Sequence, residues 1–289
     1  MGFLRVRQGD LFILESSITL GEIVDRSIYG SVGTLKSTGD LDILSTYVSI
    51  NRSFLSRFRD LVFSLNGQQD LINKVEATLS PLIPNSKIHI VVTENLGHTF
   101  GTFLSDSIIF DYVKSLDYDY VWKLSNDVLV EASIFNKQVS ANKDFYYINN
   151  IGYGAFSDYN QNELCQAILD TKYCYPQTNF YIIKKAINFI PSRDEIYDLK
   201  NKYDQICQQN PGIQPWHAIQ GCDCEHMIKA TVDKNNLSME YLLSEDSTKK
   251  IINWIYINQI HDGSHKNIAY SELGNLCHMH FLNEQKHTI

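Results

Sequence analysis

Residues 61–130 alternate short apolar strands with amphipathic helices, and that alternation limits the possible folds more than any other feature. Leu61–Leu65 is a compact apolar run ending at Asn66-Gly67. Leu71, Ile72, Val75, Leu79 and Leu82 then recur at helical spacing, with Asn73, Lys74 and Glu76 left to water. Pro81 and Pro84 close that helix, because proline lacks the amide proton that would continue it. Lys87–Thr93 follows as a strand and Glu94-Asn-Leu-Gly97 as a turn. Thr99–Leu116 is a helix with Phe100, Phe103, Leu104, Ile108 and Tyr112 on one stripe, and Tyr120–Leu124 is the next strand. This pattern predicts an α/β fold, a mostly parallel sheet covered by helices, with strands 61–65, 87–93 and 119–124 adjacent in it.

The flanking regions are less regular. Leu11–Leu14 and Ile23–Ile28 read as short strands, and Gly30–Asp40 as a loop by composition. Asp40 is placed to cap a helix over 41–57. In the second half, Phe145–Ile148 and Phe180–Ile183 read as strands, with the loop-rich Gly152–Tyr159 between them. Asp194–Gln208 and Cys222–Val232 read as helices.

Several groups could carry chemistry. Tyr120–Leu124 runs into Ser125-Asn126-Asp127, so a lone carboxylate stands at the carboxyl end of a buried strand, where open α/β sheets place their ligands. Such a carboxylate serves a diphosphate mainly by holding a divalent metal, and otherwise caps the next turn. Gly30–Ser37 approaches a phosphate-binding loop, but Leu35 stands where close backbone approach needs glycine, so a surface loop is the reading here. Cys222, Cys224, His226 and His217 are ligand types for zinc, yet Cys-x-Cys is tighter than usual and no matched pair follows. The thiols therefore read as small buried hydrophobes. Asp223 and Glu225 share a face only if extended; on a helix one of them points into a cleft, or both are solvated charges at a helix start. His278 and His280, one residue apart, face the same way on a strand and suit metal coordination, or form polar surface.

The formal charge of −8 over 289 residues, with no basic cluster, disfavours nucleic acid as a partner. A negative chain that handles a polyanion needs a metal or oriented amides. No apolar run reaches membrane-spanning length, and the N-terminus lacks the pattern of a secretory signal. Six scattered cysteines then fit reduced thiols in a cytoplasmic location.

Taken together, residues 41–130 resemble the nucleotide-sugar-binding half of inverting GT-A glycosyltransferases, including rhamnosyltransferase-like proteins. The matching pieces are Asn66-Gly67, Glu94-Asn95-Leu96-Gly97 with Gly101, and Tyr120–Asp127, in that order. Cys222-Asp-Cys-Glu225 looks like the family's later acidic element. The resemblance implies a GT-A type three-layer α/β/α sandwich spanning 1–289, with a nucleotide-sugar half (1–130) and an acceptor half with a C-terminal extension (131–289). It implies a nucleotide-diphospho-sugar donor, a carbohydrate or other hydroxyl acceptor, and a divalent cation, Mn2+ or Mg2+. Asn66, Gly67, Glu94, Asn95, Gly97 and Asn126 would lie along the donor. Asp127, with His278 or His280, would hold the metal. Asp223, or failing that Glu225, would be the general base. Tyr153, Phe156, Tyr159 and Trp216 would stack on sugars or pack in the core. The chain departs from the family in having Leu65 before the Asn-Gly turn and Ser125 at the head of the metal cluster, and Ile28-Tyr-Gly30 is the nearest counterpart of its first strand. A nucleotidyltransferase, a non-catalytic nucleotide- or sugar-binding relative and a structural protein remain open alternatives.

Overall fold

The computed structural model describes residues 17–126, 128–185, 187–258 and 276–278. In chain order the first half contains β1 (Ser17–Thr19), α1 (Leu20–Val24), β2 (Ser27–Leu35), α2 (Thr38–Ile50), α3 (Arg52–Leu55), β3 (Asp60–Gly67), α4 (Gln69–Leu79), β4 (Lys87–Val92), α5 (His98–Val113) and β5 (Tyr120–Leu124). The second half contains β6 (Val128–Val130), β7 (Gln138–Ser140), β8 (Phe145–Asn149), α6 (Gln161–Leu169), β9 (Pro176–Lys184), α7 (Arg193–Gln209), α8 (Pro215–Ala218), α9 (Cys224–Lys234), β10 (Met239–Tyr241), α10 (Glu245–Asn258) and β11 (Leu276–His278).

Among the described residues the main sheet has the order β10-β8-β9-β5-β2-β3-β4, and β9 alone runs against the rest. The fold is thus a mixed α/β layered structure with a mostly parallel central sheet. Helices α2 and α4 pack together, while α5 packs on β2 and β3 and also meets α7 and α9. The crossovers β3–α4–β4 and β4–α5–β5 travel in opposite directions across the sheet. Two right-handed connections of that kind put their helices on opposite faces.

Strand β2 is the principal departure from the sequence reading. It occupies most of what reads as the Gly30–Asp40 loop, and it separates β3 from β5, so these two are not neighbours. Its small residues serve packing. A Cβ at Gly30 would meet Ile109 of α5 at 3.0 Å, and one at Gly33 would meet Leu65 at 3.1 Å. Glycine here lets α5 lie close to the sheet. The opposite face of the same strands is aromatic: Tyr29 and Trp122 pack with Phe54, Phe58 and Phe135, with ring centroids 5.2–6.4 Å apart. Residues 23–28 are not one strand; α1 ends at Val24 and β2 begins at Ser27. The helix expected over 41–57 starts earlier. Ser37 is the N-cap and Asp40 is the reciprocating residue of a capping box, satisfying amides that would otherwise be orphaned.

Candidate active site

Strand order reverses between β2 and β5, because the chain builds β2, β3 and β4 outward on one side and returns with β5 on the other. Open α/β sheets bind ligands outside the carboxyl ends of the strands at such a switch point. A cavity of about 1420 Å³ lies there. One wall comes from the first half: Gly33, Thr34 and Lys36 at the end of β2, Asn66 at the end of β3, and Asn95, Gly97, Thr99 and Gly101 around the start of α5. Ser125 and Asn126 follow β5 into the same space. The other wall comes from the second half: Tyr175 and Thr178, Trp216 and His217 of α8, and Asp223 to His226 at the start of α9.

The local reasons are direct. Gly97 has φ 87°, a left-handed conformation that glycine adopts without strain, and it turns the chain into α5. Its amide is tied to Asn95 Oδ1 at 3.0 Å. The 16-residue α5 therefore directs its amino end, with exposed amides and a partial positive charge, at the cavity. Asn66 is 7% exposed and its Oδ1 has no hydrogen-bond partner among the described residues, an arrangement that a ligand donor would satisfy. Ser125 is held by Asn179, through Oγ–Oδ1 at 3.2 Å and its amide to the Asn179 carbonyl at 3.0 Å.

On the far wall, Asp223 is the N-cap of α9. Its Oδ1 accepts from the His226 amide at 2.8 Å and from the Tyr175 hydroxyl at 3.1 Å, and its Oδ2 lies 2.5 Å from His226 Nδ1. Glu225 Oε1 accepts from Asn150 at 3.2 Å. Burial, followed by the Glu225 and Asp223 carboxylates, pushes the Tyr175 phenol above its ordinary range, so it remains a donor. Below the cavity, Lys123 of β5 lies 3.1 Å from Asp106 of α5, and Tyr181 donates to the same carboxylate at 3.0 Å. Burial is the main cause raising the Asp106 pKa, and Lys123 opposes it.

The residues singled out from sequence are distributed as follows. Asn66, Asn95, Gly97, Asn126, Asp223 and Glu225 line the one cavity. Glu94 and Gly67 are not in its lining. Glu94 is hydrogen-bonded by Tyr197 of α7. Gly67, at φ 122°, serves strand packing, because a Cβ there would lie 2.0 Å from the Leu35 carbonyl oxygen. Asp127 and His280 lie outside the described residues. His278 is described by its backbone, which pairs with Val128, the residue after Asp127, in the antiparallel β11–β6 ladder. Of the aromatics, Trp216 reaches the cavity and is 45% exposed. Phe156 packs on Tyr256, Tyr159 packs on Tyr173, and the Tyr153 side chain is outside the description. Among the described residues no three His, Cys, Asp or Glu side chains cluster as a metal site. Burial pushes the Cys222 thiol up to about 11 and the Cys224 thiol well above its ordinary value, as for small packed hydrophobes. Sequence reasoning did not place Tyr175 or Lys36 in the site. Tyr175 carries no local signal beyond its position before a strand.

No helix among the described residues is long and apolar enough to cross a membrane. No protein-family model matches the chain, and no curated protein matches it. Solved structures similar to it include core-mannan synthase A from Aspergillus fumigatus in a manganese and GDP form, at 10% identity and TM-score 0.33, covering 75% of this chain and 72% of that one. They also include mouse xyloside xylosyltransferase 1 without ligand, at 10% identity and TM-score 0.36, covering 75% of this chain and 85% of that one.

Proposed function

We propose that this cleft transfers a sugar from a nucleotide-diphospho-sugar to a hydroxyl acceptor, with inversion. The observation that carries the reading is convergence. Asn66, Asn95, Gly97 and Asn126 come from separate strand ends of the first half, and Asp223 and Glu225 come from the second, yet all face one cavity. Its volume of about 1420 Å³ exceeds the roughly 300–1,000 Å³ of a single small-molecule pocket, leaving room for donor and acceptor together. Residues 1–130 would then serve the donor and 131–289 the acceptor.

Charge supports a need for help with the diphosphate. Lys36 is the only lysine or arginine in the described lining, against Asp40, Asp223 and Glu225. The amino end of α5 contributes positive potential to the same space. A divalent cation, Mn2+ or Mg2+, held by Asp127 with Asn126 and by His278 or His280, would supply Lewis-acid stabilisation of the leaving diphosphate. The donor set is compatible with this. Asn126 offers an amide oxygen, and the β11–β6 register brings the His278 backbone beside the residue that follows Asp127. Trp216, exposed in the acceptor wall, offers an aromatic face to a sugar. The start of α9, which brings Asp223, Glu225 and His226 to the cavity, would serve deprotonation of the acceptor hydroxyl.

The test is a thermal-shift screen of UDP-, GDP- and dTDP-sugars with and without manganese, since a ligand that binds the folded chain raises its melting temperature. A manganese-dependent shift with the diphosphate and sugar-diphosphate forms of one nucleoside is the expected result. Shifts with nucleoside triphosphates alone would favour nucleotidyl transfer, and no shift with any would favour a structural role.

A further inference from the structure

We infer that His226 takes the proton from the acceptor hydroxyl, and that Asp223 is the positioning residue that orients it; this rests on the glycosyl-transfer reading above.

Asp223 is already committed within the protein. Both of its oxygens are engaged, by the His226 amide, the Tyr175 hydroxyl and His226 Nδ1, and its side chain is 14% exposed. To act on a substrate hydroxyl it would have to abandon the cap of α9 together with its other partners. Glu225 is held by Asn150. His226 is different. Its side chain is 55% exposed and it lines the cavity. In the neutral imidazole, with Nδ1 donating to the carboxylate, Nε2 on the far side of the ring carries no proton, and it has no hydrogen-bond partner among the described residues. The Tyr175 ring packs against the imidazole in a T-shaped contact at 5.0 Å and 67°, so the imidazole is held by both a carboxylate and an aromatic neighbour. An imidazole so fixed is a prepared base.

The acceptor O–H proton moves to Nε2, and the oxygen pair forms the new bond to the anomeric carbon. The bond from that carbon to the diphosphate oxygen breaks, and its electron pair leaves with the nucleoside diphosphate. The imidazolium, stabilised by Asp223, returns its proton to solvent. A neutral imidazole held in one orientation is an effective proton acceptor. The titratable and charged groups around the ring are Asp223 and Tyr175 in contact, Glu225 beside it in the first turn, Lys229 one turn along α9, and His217 of α8 in the same lining.

The test uses the full chain and whichever of UDP-glucose, UDP-galactose, GDP-mannose or dTDP-rhamnose the wild type turns over, read as nucleoside diphosphate release with a simple glycoside as acceptor. Melting temperature and affinity for the free nucleoside diphosphate serve as folding controls. His226→Gln is expected to lose about a hundredfold or more in kcat, with donor KM within about threefold of wild type. The wild-type rate should fall in acid as the base takes up a proton, and His226→Gln should lose that limb of the pH profile. Added imidazole should restore part of the activity of His226→Ala. Asp223→Asn should bind donor normally and turn over slowly, since it leaves the ring unanchored. Retained turnover in His226→Gln, loss confined to Glu225→Gln, or a His226→Gln loss with the pH limb intact and no rescue by imidazole would each overturn the inference. Absence of donor binding and turnover in the wild type would instead overturn the glycosyl-transfer reading itself, and the inference with it.

Discussion

Lys123 and Asp106 form an ion pair 3.1 Å apart in which each side chain is about 1% exposed. The pair joins β5 to α5 next to the cavity, because Ser105 and Ser125 on either side of it line that space. The Lys123 ammonium also lies 3.4 Å from the Thr178 carbonyl and 5.9 Å from the Tyr181 ring centre. A buried pair contributes little net stability, but removing one partner strands the other charge. Asp106→Asn should therefore destabilise the chain by about 3–5 kcal/mol in urea unfolding. The double variant Lys123→Met with Asp106→Leu should cost clearly less than the single one. Equal costs would show that the charges are not coupled.

Gly67 should tolerate no side chain. Its φ of 122° and the 2.0 Å separation between a Cβ and the Leu35 carbonyl oxygen leave no room at the β2–β3 edge. Gly67→Ala is expected to lower stability by at least about 1–3 kcal/mol, with a lower melting temperature as the readout. An unchanged melting temperature would mean that the end of β3 can move away from β2 without cost.

Acid should weaken the fold partly through Asp60. Burial raises the pKa of this carboxyl, but hydrogen bonds from His89, at 2.5 Å, and from Tyr118 and Arg59 outweigh it, so the folded value lies below the ordinary 3.8. In that window the unfolded chain binds more protons than the folded one. The stabilisation is therefore present above about pH 4 and lost as pH falls through the folded value. Melting temperatures between pH 6 and pH 3 should fall less steeply for Asp60→Asn than for the wild type. Parallel slopes would remove Asp60 from the acid response.

Donor affinity should depend on Asp127 and on manganese together. Isothermal titration with UDP or GDP is expected to show about tenfold or greater weakening in Asp127→Ala, and a similar loss for the wild type in chelator. Equal affinities for wild type and variant in manganese would take Asp127 out of the metal site. His278→Ala and His280→Ala, measured in the same way, would tell which imidazole belongs to it.

Local physics made much of the first half legible. The helical spacing of Leu71, Ile72, Val75 and Leu79 and the apolar runs of β3, β4 and β5 reflect periodicities that every helix and strand must show, so α4, α5 and these strands could be read directly. The resemblance to a known family, not periodicity, singled out Asn66, Asn95, Gly97 and Asn126, and all four line the cavity. Tertiary structure decided the rest. The glycine- and serine-bearing segment of β2 looks like a loop because its composition answers to Ile109 of α5, nearly eighty residues away, and not to its own neighbours. The Tyr175–Asp223–His226 arrangement exists because the chain entering β9 meets the start of α9 across 48 residues of sequence. Asp223 and His226 were visible as residue types, but whether a carboxylate faces substrate or holds an imidazole depends on contacts that no local pattern encodes. Periodicity belongs to the segment, and side-chain partnership belongs to the packed whole.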